Sequence, residues 1–276
     1  MIKSTTMDNT EAIHRREVEF HDEWAATSEL SKIRVRDAFE APTAMENRWI
    51  TQKMGPLAGK RLLDIGAGLG ESSVYFALLG AEVTTSDISP GMVELAINLG
   101  KHHGVSLHGI VAAGEDLGVP ENHYDIVYTA NTVHHVTNKR EFFSQIQRAL
   151  KPGGRFFTWD PLAYNPLIEI YRRMATDVRT EDEAPLTFAD VALAREFFVN
   201  VEHREFWITT LTLFLKYYLV DRIHPNDKRY WKLIYEETPD RLQWWRPLKW
   251  IDELLTRLPI IRRLAWNMVM TGSKRT

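Results

Sequence analysis

Two neighbouring histidines, His134 and His135, follow the apolar stretch at residues 123–131, which ends in Asn131. Imidazole exchanges a proton near neutral pH, so either histidine is a candidate general base. Adjacent residues on a helix point in different directions, and we expect at most one imidazole to face a cavity. The alternative is one capping or core histidine and one surface histidine. No acidic residue or histidine follows one helical turn later, so the sequence predicts no metal site.

A glycine-rich turn is the second element that could do chemistry. It follows an apolar strand pattern at residues 60–65, precedes a helix pattern at residues 71–79, and contains Gly66, Gly68 and Gly70. Glycine lets the backbone approach a ligand closely and adopt the φ values of a sharp turn. The free N–H groups of the helix N-terminus attract polar and anionic groups. We expect the turn to seat such a group of a nucleotide-like ligand, with a plain tight turn as the alternative.

Two carboxylates flank this turn in the predicted sheet. Asp64 stands two residues before the first glycine, where it suits a ligand that carries an ammonium group. Asp87 ends the next predicted strand, and a carboxylate at that place accepts hydrogen bonds from both hydroxyls of a ribose. Ile88 then offers an apolar face to an adenine. The alternative for Asp87 is an acidic residue at a surface turn.

These motifs resemble those of the class I S-adenosylmethionine-dependent methyltransferases. The histidine pair is similar to that of the ubiquinone/menaquinone-biosynthesis type, and the Leu-Lys-Pro-Gly-Gly string at residues 150–154 is characteristic of the family. The resemblance implies an α/β fold with a doubly wound, seven-stranded, mostly parallel sheet and an antiparallel last strand. It implies S-adenosylmethionine as the cofactor, its methionine end held by Asp64 and the glycines. A nicotinamide dinucleotide site would instead need a glycine where Glu71 stands.

One position departs from the family's pattern. The family usually carries an acid where this chain has Ala113, and that acid reads the adenine amino group. We assign this role to Glu115 or Asp116, with backbone groups as the alternative. Because ligands lie outside the carboxyl ends of the strands in such sheets, Asn131 is also expected at the cofactor.

The resemblance divides the chain into a methyltransferase core at residues 57–211 and a last core strand at residues 264–276. Helices predicted at residues 1–56 form a lid over the cofactor. His21 and Trp24 then face the active site, unless these helices simply pack on the core.

Polar residues after the fifth predicted strand are candidates for binding the acceptor. Asp160, Tyr164 and Asn165 border the predicted substrate cavity, unless they only shape a turn that starts the next helix. The following arginines are candidates for an anionic substrate group. The favoured alternative pairs them with the acidic residues at 181–183. These arginines are Arg172, Arg173 and Arg179.

Residues 212–263 form an insertion where a short turn would suffice. The segment interleaves tryptophans with basic residues on amphipathic patterns. Such a pattern fits a membrane-surface face, a cap over a large apolar pocket, a homodimer interface or an ordinary packed insertion. The first two imply a small lipophilic acceptor, such as a prenylated, polyketide or lipid-like molecule.

Composition narrows the classes of partner and location. A net charge of −3 gives no reason to expect nucleic acid. The absence of cysteine excludes disulfides, thiolate metal sites and cysteine nucleophiles. No apolar run is long enough to span a bilayer, and the first ten residues lack an apolar signal core. We therefore expect a cytoplasmic location, at the membrane surface if the insertion binds lipid.

The sequence thus predicts methyl transfer from S-adenosylmethionine to a small lipophilic acceptor by in-line displacement. Two alternatives stay open. One is a nicotinamide-dependent oxidoreductase, which shares the glycine turn and the ribose acid. The other is a non-catalytic membrane or lipid-binding module built on a methyltransferase-like core.

Overall fold

The computed structural model describes residues 2–180 and 182–276. Met1, the first residue of the predicted lid, and Glu181, within the acidic segment predicted to pair with the arginines, lie outside the described residues.

A seven-stranded sheet forms the centre of the fold. Its strands are β1 Arg61–Ile65, β2 Glu82–Asp87, β3 His108–Val111, β4 Tyr124–Ala130, β5 Leu150–Pro161, β6 Val199–Phe206 and β7 Asn267–Ser273. The strand order is β3-β2-β1-β4-β5-β7-β6. Strands β1 to β5 pair in parallel, and β7 is antiparallel to both of its neighbours. The predicted doubly wound, mostly parallel sheet with an antiparallel last strand is confirmed.

The central strands β1 and β4 are buried on both faces, which explains why they read as largely apolar runs. Side chains alternate between the two faces along a strand. Leu62 accordingly belongs to one apolar cluster and Leu63 to the other. The helices that cover the faces are α4 Glu71–Leu78, α5 Pro90–His102, α6 Lys139–Ala149, α7 Pro166–Met174 and α8 Phe188–Phe197.

The N-terminal segment folds into α1 Ile2–Thr27, α2 Asp37–Glu40 and α3 Met45–Met54. The long helix α1 is tied to the start of α5 by one carboxylate. Asp22 Oδ1 accepts hydrogen bonds from Ser89 Oγ at 2.5 Å and from the Gly91 N–H at 3.0 Å. This contact holds α1 beside the carboxyl ends of β1 and β2.

The segment between β6 and β7 contains α9 Thr212–Leu215, a π-helical continuation over Lys216–Val220, α10 Tyr230–Leu233 and α11 Arg246–Leu255. Buried aromatic residues and one buried acid join it to the sheet. The Trp245 indole lies 5.5 Å from that of Trp207, and Asp252 accepts hydrogen bonds from Thr209 and Thr210. Among the described residues, no helix is both long and apolar enough to cross a bilayer.

Candidate active site

A cavity of about 260 Å³ lies at the carboxyl ends of β1, β2, β4 and β5. Its walls are formed by helices α1, α2, α3 and α7, the loops that follow the strands, and the segment between β6 and β7. Representative lining residues are Glu17, Gly68, Asp87, His135, Glu183 and Trp231.

The three glycines of the turn have positive φ angles but different surroundings. Gly66 and Gly68 line the cavity. A Cβ at Gly66 would stand 2.2 Å from Thr132 Oγ1, whereas a Cβ at Gly68 would meet no atom within 4 Å. Gly68 therefore leaves a space that a ligand can fill. Gly70, also predicted to contact the cofactor, does not line the cavity. A Cβ there would stand 2.6 Å from Ala96 Cβ, so Gly70 permits close packing of α4 on α5.

The carboxylate of Asp87 lies at the cavity, next to Ile88, where both were predicted. Its Oδ2 atom accepts a hydrogen bond from the Gly68 N–H at 2.9 Å, and its Oδ1 atom accepts one from the Ser89 N–H at 3.0 Å. Each carboxylate oxygen can accept a second hydrogen bond. Asp87 thus fixes the glycine turn and retains acceptor capacity for a diol.

Asp64, predicted to meet the ammonium group of a ligand, lies behind the turn, next to the cavity wall at Ile65 and Gly66. Its Oδ2 atom accepts hydrogen bonds from Ser72 Oγ and Ser73 Oγ, both at 2.6 Å. Burial raises the pKa of Asp64 to about 6, and these two hydrogen bonds only partly oppose the rise. Asp64 therefore stabilises the start of α4.

The two residues predicted to read the adenine have different surroundings. Asp116 is exposed and does not line the cavity. Glu115 does line it, but its Oε1 atom accepts hydrogen bonds from the N–H and the hydroxyl of Thr137, at 2.9 and 3.0 Å. Ala112 and Gly114 also line the cavity, which favours the alternative of backbone recognition. Asn131 lies at the cavity in a left-handed conformation, with φ of 51°.

Both histidines of the pair line the cavity, so the expectation that at most one would do so is wrong. They belong to a short 3-10 turn, Val133–His135, and their ring centroids are 4.1 Å apart. A different carboxylate holds each ring through Nδ1. His134 Nδ1 lies 2.7 Å from Asp160 Oδ1, and His135 Nδ1 lies 3.1 Å from Glu17 Oε1. A carboxylate at Nδ1 favours the tautomer that donates from Nδ1, which leaves a lone pair on Nε2.

Two carboxylates of the cavity wall, those of the buried Glu17 and the partly buried Glu183, have lowered pKa values. Burial acts to raise the pKa of Glu17, but the hydrogen bond and electrostatic interaction with His135 outweigh it and lower this pKa to about 2. Burial likewise opposes ionisation of Glu183, but the interactions with His134 and Arg179 lower its pKa. Glu183 Oε2 accepts hydrogen bonds from Arg179 Nη2 at 2.7 Å and from Arg172 Nη2 at 3.1 Å. Both carboxylates are therefore ionised at neutral pH.

The predicted pairing of the arginines with residues 181–183 is correct for Arg172 and Arg179, yet both also line the cavity. Arg173 points elsewhere and bonds Glu169 at 3.2 Å. No acidic residue follows the histidine pair one helical turn later in the sequence, but the fold places Glu183 beside the pair. One donor atom from each of His134, His135 and Glu183 lies within 4.8 Å of the other two.

The three residues after β5 that were predicted to contact the acceptor have partners within the protein. Asp160 is fully buried behind His134 and does not line the cavity. The Tyr164 hydroxyl accepts a hydrogen bond from the Phe188 N–H at 3.3 Å. Asn165 Oδ1 caps α7 by accepting the Leu167 N–H at 2.9 Å. Asn165 therefore has the helix-starting role of the alternative, whereas Tyr164 contacts the start of α8.

The lid helix and the segment between β6 and β7 meet above the cavity. His21 and Trp24 line it, as predicted. The Trp24 ring contacts the Trp231 ring edge to face at 5.7 Å, and the Arg229 guanidinium lies 4.2 Å from the Trp24 centroid. The segment at residues 212–263 thus caps the pocket, one of the roles considered from sequence.

Sequence reasoning missed Glu17, Glu183 and Trp231. Glu17 lies in a stretch of α1 that is rich in charged and aromatic residues, which was the only local signal for it. Glu183 and Trp231 reach the cavity through tertiary packing.

Comparison with known proteins agrees with this geometry. Residues 63–158 match the family model described as a methyltransferase domain. The demethylmenaquinone methyltransferase of Tropheryma whipplei is 37% identical over 102 residues, which are 37% of this chain and 42% of that protein. The ubiquinone/menaquinone biosynthesis C-methyltransferase UbiE of Hahella chejuensis is 30% identical over 151 residues, 52% and 59% of the two chains. The chain thus spans about half the length of the curated relatives it matches.

Two solved structures share the fold. The phosphoethanolamine N-methyltransferase 2 of Haemonchus contortus, in complex with phosphomonomethylethanolamine and S-adenosylhomocysteine, superposes with a TM-score of 0.56 at 19% identity, over 84% of this chain and 52% of that one. The [4+2]-cyclase SpnF superposes with a TM-score of 0.53 at 16% identity, over 86% and 82%. The predicted resemblance to S-adenosylmethionine-dependent methyltransferases is confirmed. The cyclase shows that this fold also carries other activities.

Proposed function

We propose that this protein transfers a methyl group from S-adenosylmethionine to a small lipophilic acceptor. The observation that carries the proposal is a single cavity that joins two kinds of wall. One wall, at the ends of β1 and β2, has Gly68, Asp87 and Ile88 to hold a nucleoside. The other wall, which we call the acceptor wall, follows β4 and has His134 and His135 to face an acceptor. The methyltransferase relatives support the same conclusion.

The residues present fit the cofactor. The space at Gly68 admits a ligand, and the free acceptor capacity of Asp87 matches the two hydroxyls of a ribose. Bound S-adenosylmethionine supplies a methyl group that its sulfonium already activates. The chain mainly holds the acceptor in line at near-attack distance and excludes water. The contact of Trp24 with Trp231 closes the cavity for this purpose.

A lipophilic acceptor with an acidic hydroxyl or carbon fits the acceptor wall. Trp24, Tyr171 and Trp231 supply apolar surface, and the Nε2 atoms of the histidine pair supply proton acceptors. An acceptor proton moves to one Nε2 atom as the new bond to the methyl carbon forms and the carbon–sulfur bond breaks towards sulfur. The quinone-biosynthesis relatives support this acceptor class.

The nicotinamide alternative finds no support in the relatives described above. At the third glycine position stands Glu71, whose carboxylate forms an ion pair with Lys232 at the cavity wall. A direct test is incubation of the purified protein with methyl-labelled S-adenosylmethionine and a panel of quinols, phenols and prenylated phenols, followed by mass spectrometry. Labelled product supports the proposal. The opposite result is tight binding of NADH together with no binding of S-adenosylhomocysteine.

We further infer that the segment between β6 and β7 contacts a membrane surface. Asp252 anchors one face of α11 to the sheet, so Trp250 and Leu254, two positions away on either side, point in the opposite direction. Their exposed fractions are 76% and 63%, and Ile260 follows at 83%. Exposed apolar side chains with nearby arginines, such as Arg257, suit an anionic lipid surface.

Co-sedimentation with vesicles that contain anionic lipid tests this contact. We expect the wild type to pellet with the vesicles, less so at high salt, and the double variant Trp250→Ser, Leu254→Ser to stay in the supernatant. Leu79→Ser removes an exposed leucine outside the segment and is the matched control. If wild type and double variant sediment alike, the face does not bind lipid. Light scattering of the same samples then tests the homodimer alternative.

A further inference from the structure

We propose that His134, His135 and Glu183 form a binding site for a divalent first-row transition-metal ion. One donor atom from each residue lies within 4.8 Å of the other two, and all three residues line the cavity. Two imidazoles and one carboxylate are the ligand set of many catalytic zinc and non-haem iron sites, which keep positions open for substrate. Binding of the ion does not depend on the methyl-transfer proposal, whereas its use in catalysis rests on it.

The orientation of both imidazoles supports this assignment. Histidines that ligate metals almost always donate the other ring N–H to a carboxylate or carbonyl. His134 meets Asp160 in this way, and His135 meets Glu17. Asp160 is itself fixed, since its Oδ2 atom accepts a hydrogen bond from Thr158 Oγ1 at 3.0 Å. Among the described residues, none forms a hydrogen bond to either Nε2 atom, so both lone pairs remain for a ligand.

The carboxylate of Glu183 is also held in one orientation by hydrogen bonds. Two arginines, Arg172 and Arg179, bind its Oε2 atom and orient the carboxylate. No hydrogen bond from the described part of the chain reaches Oε1, although the side chain is only 9% exposed. This oxygen lies on a residue that lines the cavity, so it is open to a cation there.

The charge around these three residues also suits a cation. Glu17 and Asp160 each contact one imidazole of the histidine pair, and Glu183 contacts two guanidinium groups, those of Arg172 and Arg179. With neutral imidazoles this cluster carries one excess negative charge. A divalent ion reverses that sign and leaves a site that attracts an anionic acceptor oxygen.

Bound at the acceptor wall, the ion would activate a hydroxyl group of the acceptor. With both Nε2 atoms bound to the ion, neither histidine would accept the proton. A hydroxyl bound to such an ion would have a lowered pKa, and its proton would leave to water in the cavity. The oxygen, or a carbon conjugated to it, then forms the bond to the methyl carbon while the carbon–sulfur electron pair stays on sulfur. The substrate class that follows is an acceptor with a hydroxyl that can reach the ion, such as a phenol or quinol.

Metal titration of the EDTA-treated full-length protein tests the site directly. We expect one Zn²⁺ per chain by calorimetry, and a visible ligand-field spectrum when Co²⁺ replaces it. His135→Ala and Glu183→Gln should lose the Zn²⁺ heat and the Co²⁺ spectrum. Asp160→Asn keeps all three ligands and should weaken binding by about 10–100-fold.

His203→Ala is the matched control. His203 meets the carboxylate of Glu205 at 2.6 Å, yet it does not line the cavity, so this variant should bind metal as the wild type does. Urea unfolding verifies that each variant is folded, and His135→Ala provides a second ligand variant if Glu183→Gln is unstable.

Absence of Zn²⁺ binding by the wild type overturns the proposal. Equal binding by the wild type and both ligand variants also overturns it, because the ion then lies elsewhere. Affinity for S-adenosylhomocysteine, measured on the same metal-free samples, separates this proposal from the previous one. A protein that binds the nucleoside but no metal contradicts only the metal site, and the reverse contradicts only the methyl-transfer proposal.

Discussion

Three alanine substitutions in the glycine turn separate stability from ligand binding. Gly66, Gly68 and Gly70 have φ angles of 67°, 53° and 87°, where an alanine costs roughly 1–2 kcal/mol. At Gly68 this backbone cost is the whole effect on folding, because a Cβ there meets no atom within 4 Å. We therefore expect Gly68→Ala to lower the free energy of unfolding by about 1 kcal/mol, since alanine also restricts the unfolded chain.

The other two positions carry an additional packing cost. A Cβ at Gly70 would lie 2.6 Å from Ala96 Cβ and 2.7 Å from Ala96 Cα, so the backbone of α5 must move. A Cβ at Gly66 would collide with Thr132, whose hydroxyl donates to the Ala130 carbonyl at 3.0 Å. Overpacking adds about 1–3 kcal/mol. Gly66→Ala and Gly70→Ala should therefore lower the free energy of unfolding by about 2–5 kcal/mol each.

The order of the glycine variants by ligand affinity should differ from their order by free energy of unfolding. The methyl group of Gly68→Ala enters space that the cofactor needs, and we expect a loss of S-adenosylhomocysteine affinity of about tenfold or more, equal to 1.4 kcal/mol. Gly70→Ala lies outside the cavity and should retain wild-type affinity wherever it is folded. Urea unfolding and calorimetric titration measure the two quantities. The reasoning is refuted if Gly68→Ala binds as tightly as the wild type, or if Gly70→Ala loses affinity without losing stability.

Three further predictions follow from other contacts. Asp87→Ala should weaken S-adenosylhomocysteine binding by about 10–100-fold in calorimetry, since hydrogen bonds to a charged group contribute roughly 1.5–3 kcal/mol; unchanged affinity would mean that the ribose lies elsewhere. Ser89→Ala removes the acceptor for the Met92 N–H and should cost about 1 kcal/mol in urea unfolding; a neutral effect would rule out this cap as a stabilising contact. Burial raises the pKa of Glu46 to about 7 from 4.5 in spite of the Asn267 hydrogen bond, so the folded state keeps a proton that the unfolded chain loses. Stability should therefore fall as the pH rises from about 4.5 to 7, and Glu46→Gln should reduce that fall by up to about 3 kcal/mol; equal slopes would contradict the raised pKa.

The sheet could be predicted because local patterns determine it. Apolar runs mark strands that are buried on both faces, and glycine or Ser-Pro signals mark the turns between strands and helices. The position of Asp87 followed for the same reason, since the residue that ends the second strand must lie at the carboxyl edge of the sheet. Gly68 and Ile88 are placed by the same local rule.

The acceptor wall could not be predicted in the same way, because long-range packing forms it. Glu17 reaches His135 from a helix 118 positions earlier in the chain. Glu183 joins the same cavity from beyond α7, and Trp231 enters it from the segment before β7. The directions of the Asp64 and Asp160 side chains could not be predicted either. Both acids follow the expected strand pattern, but each turns towards a neighbouring donor, Ser72 and His134 respectively. The position in the strand determines where the backbone of the acidic residue lies, whereas its hydrogen-bond donors determine the direction of the side chain.

A crystal structure of the protein with S-adenosylhomocysteine tests the central claim most directly. The account predicts the ribose hydroxyls on the Asp87 carboxylate, backbone of the turn at Gly68 against the ligand, and the sulfur directed towards the histidine pair. A nucleoside bound elsewhere, or a cavity filled by protein side chains under saturating ligand, would contradict it.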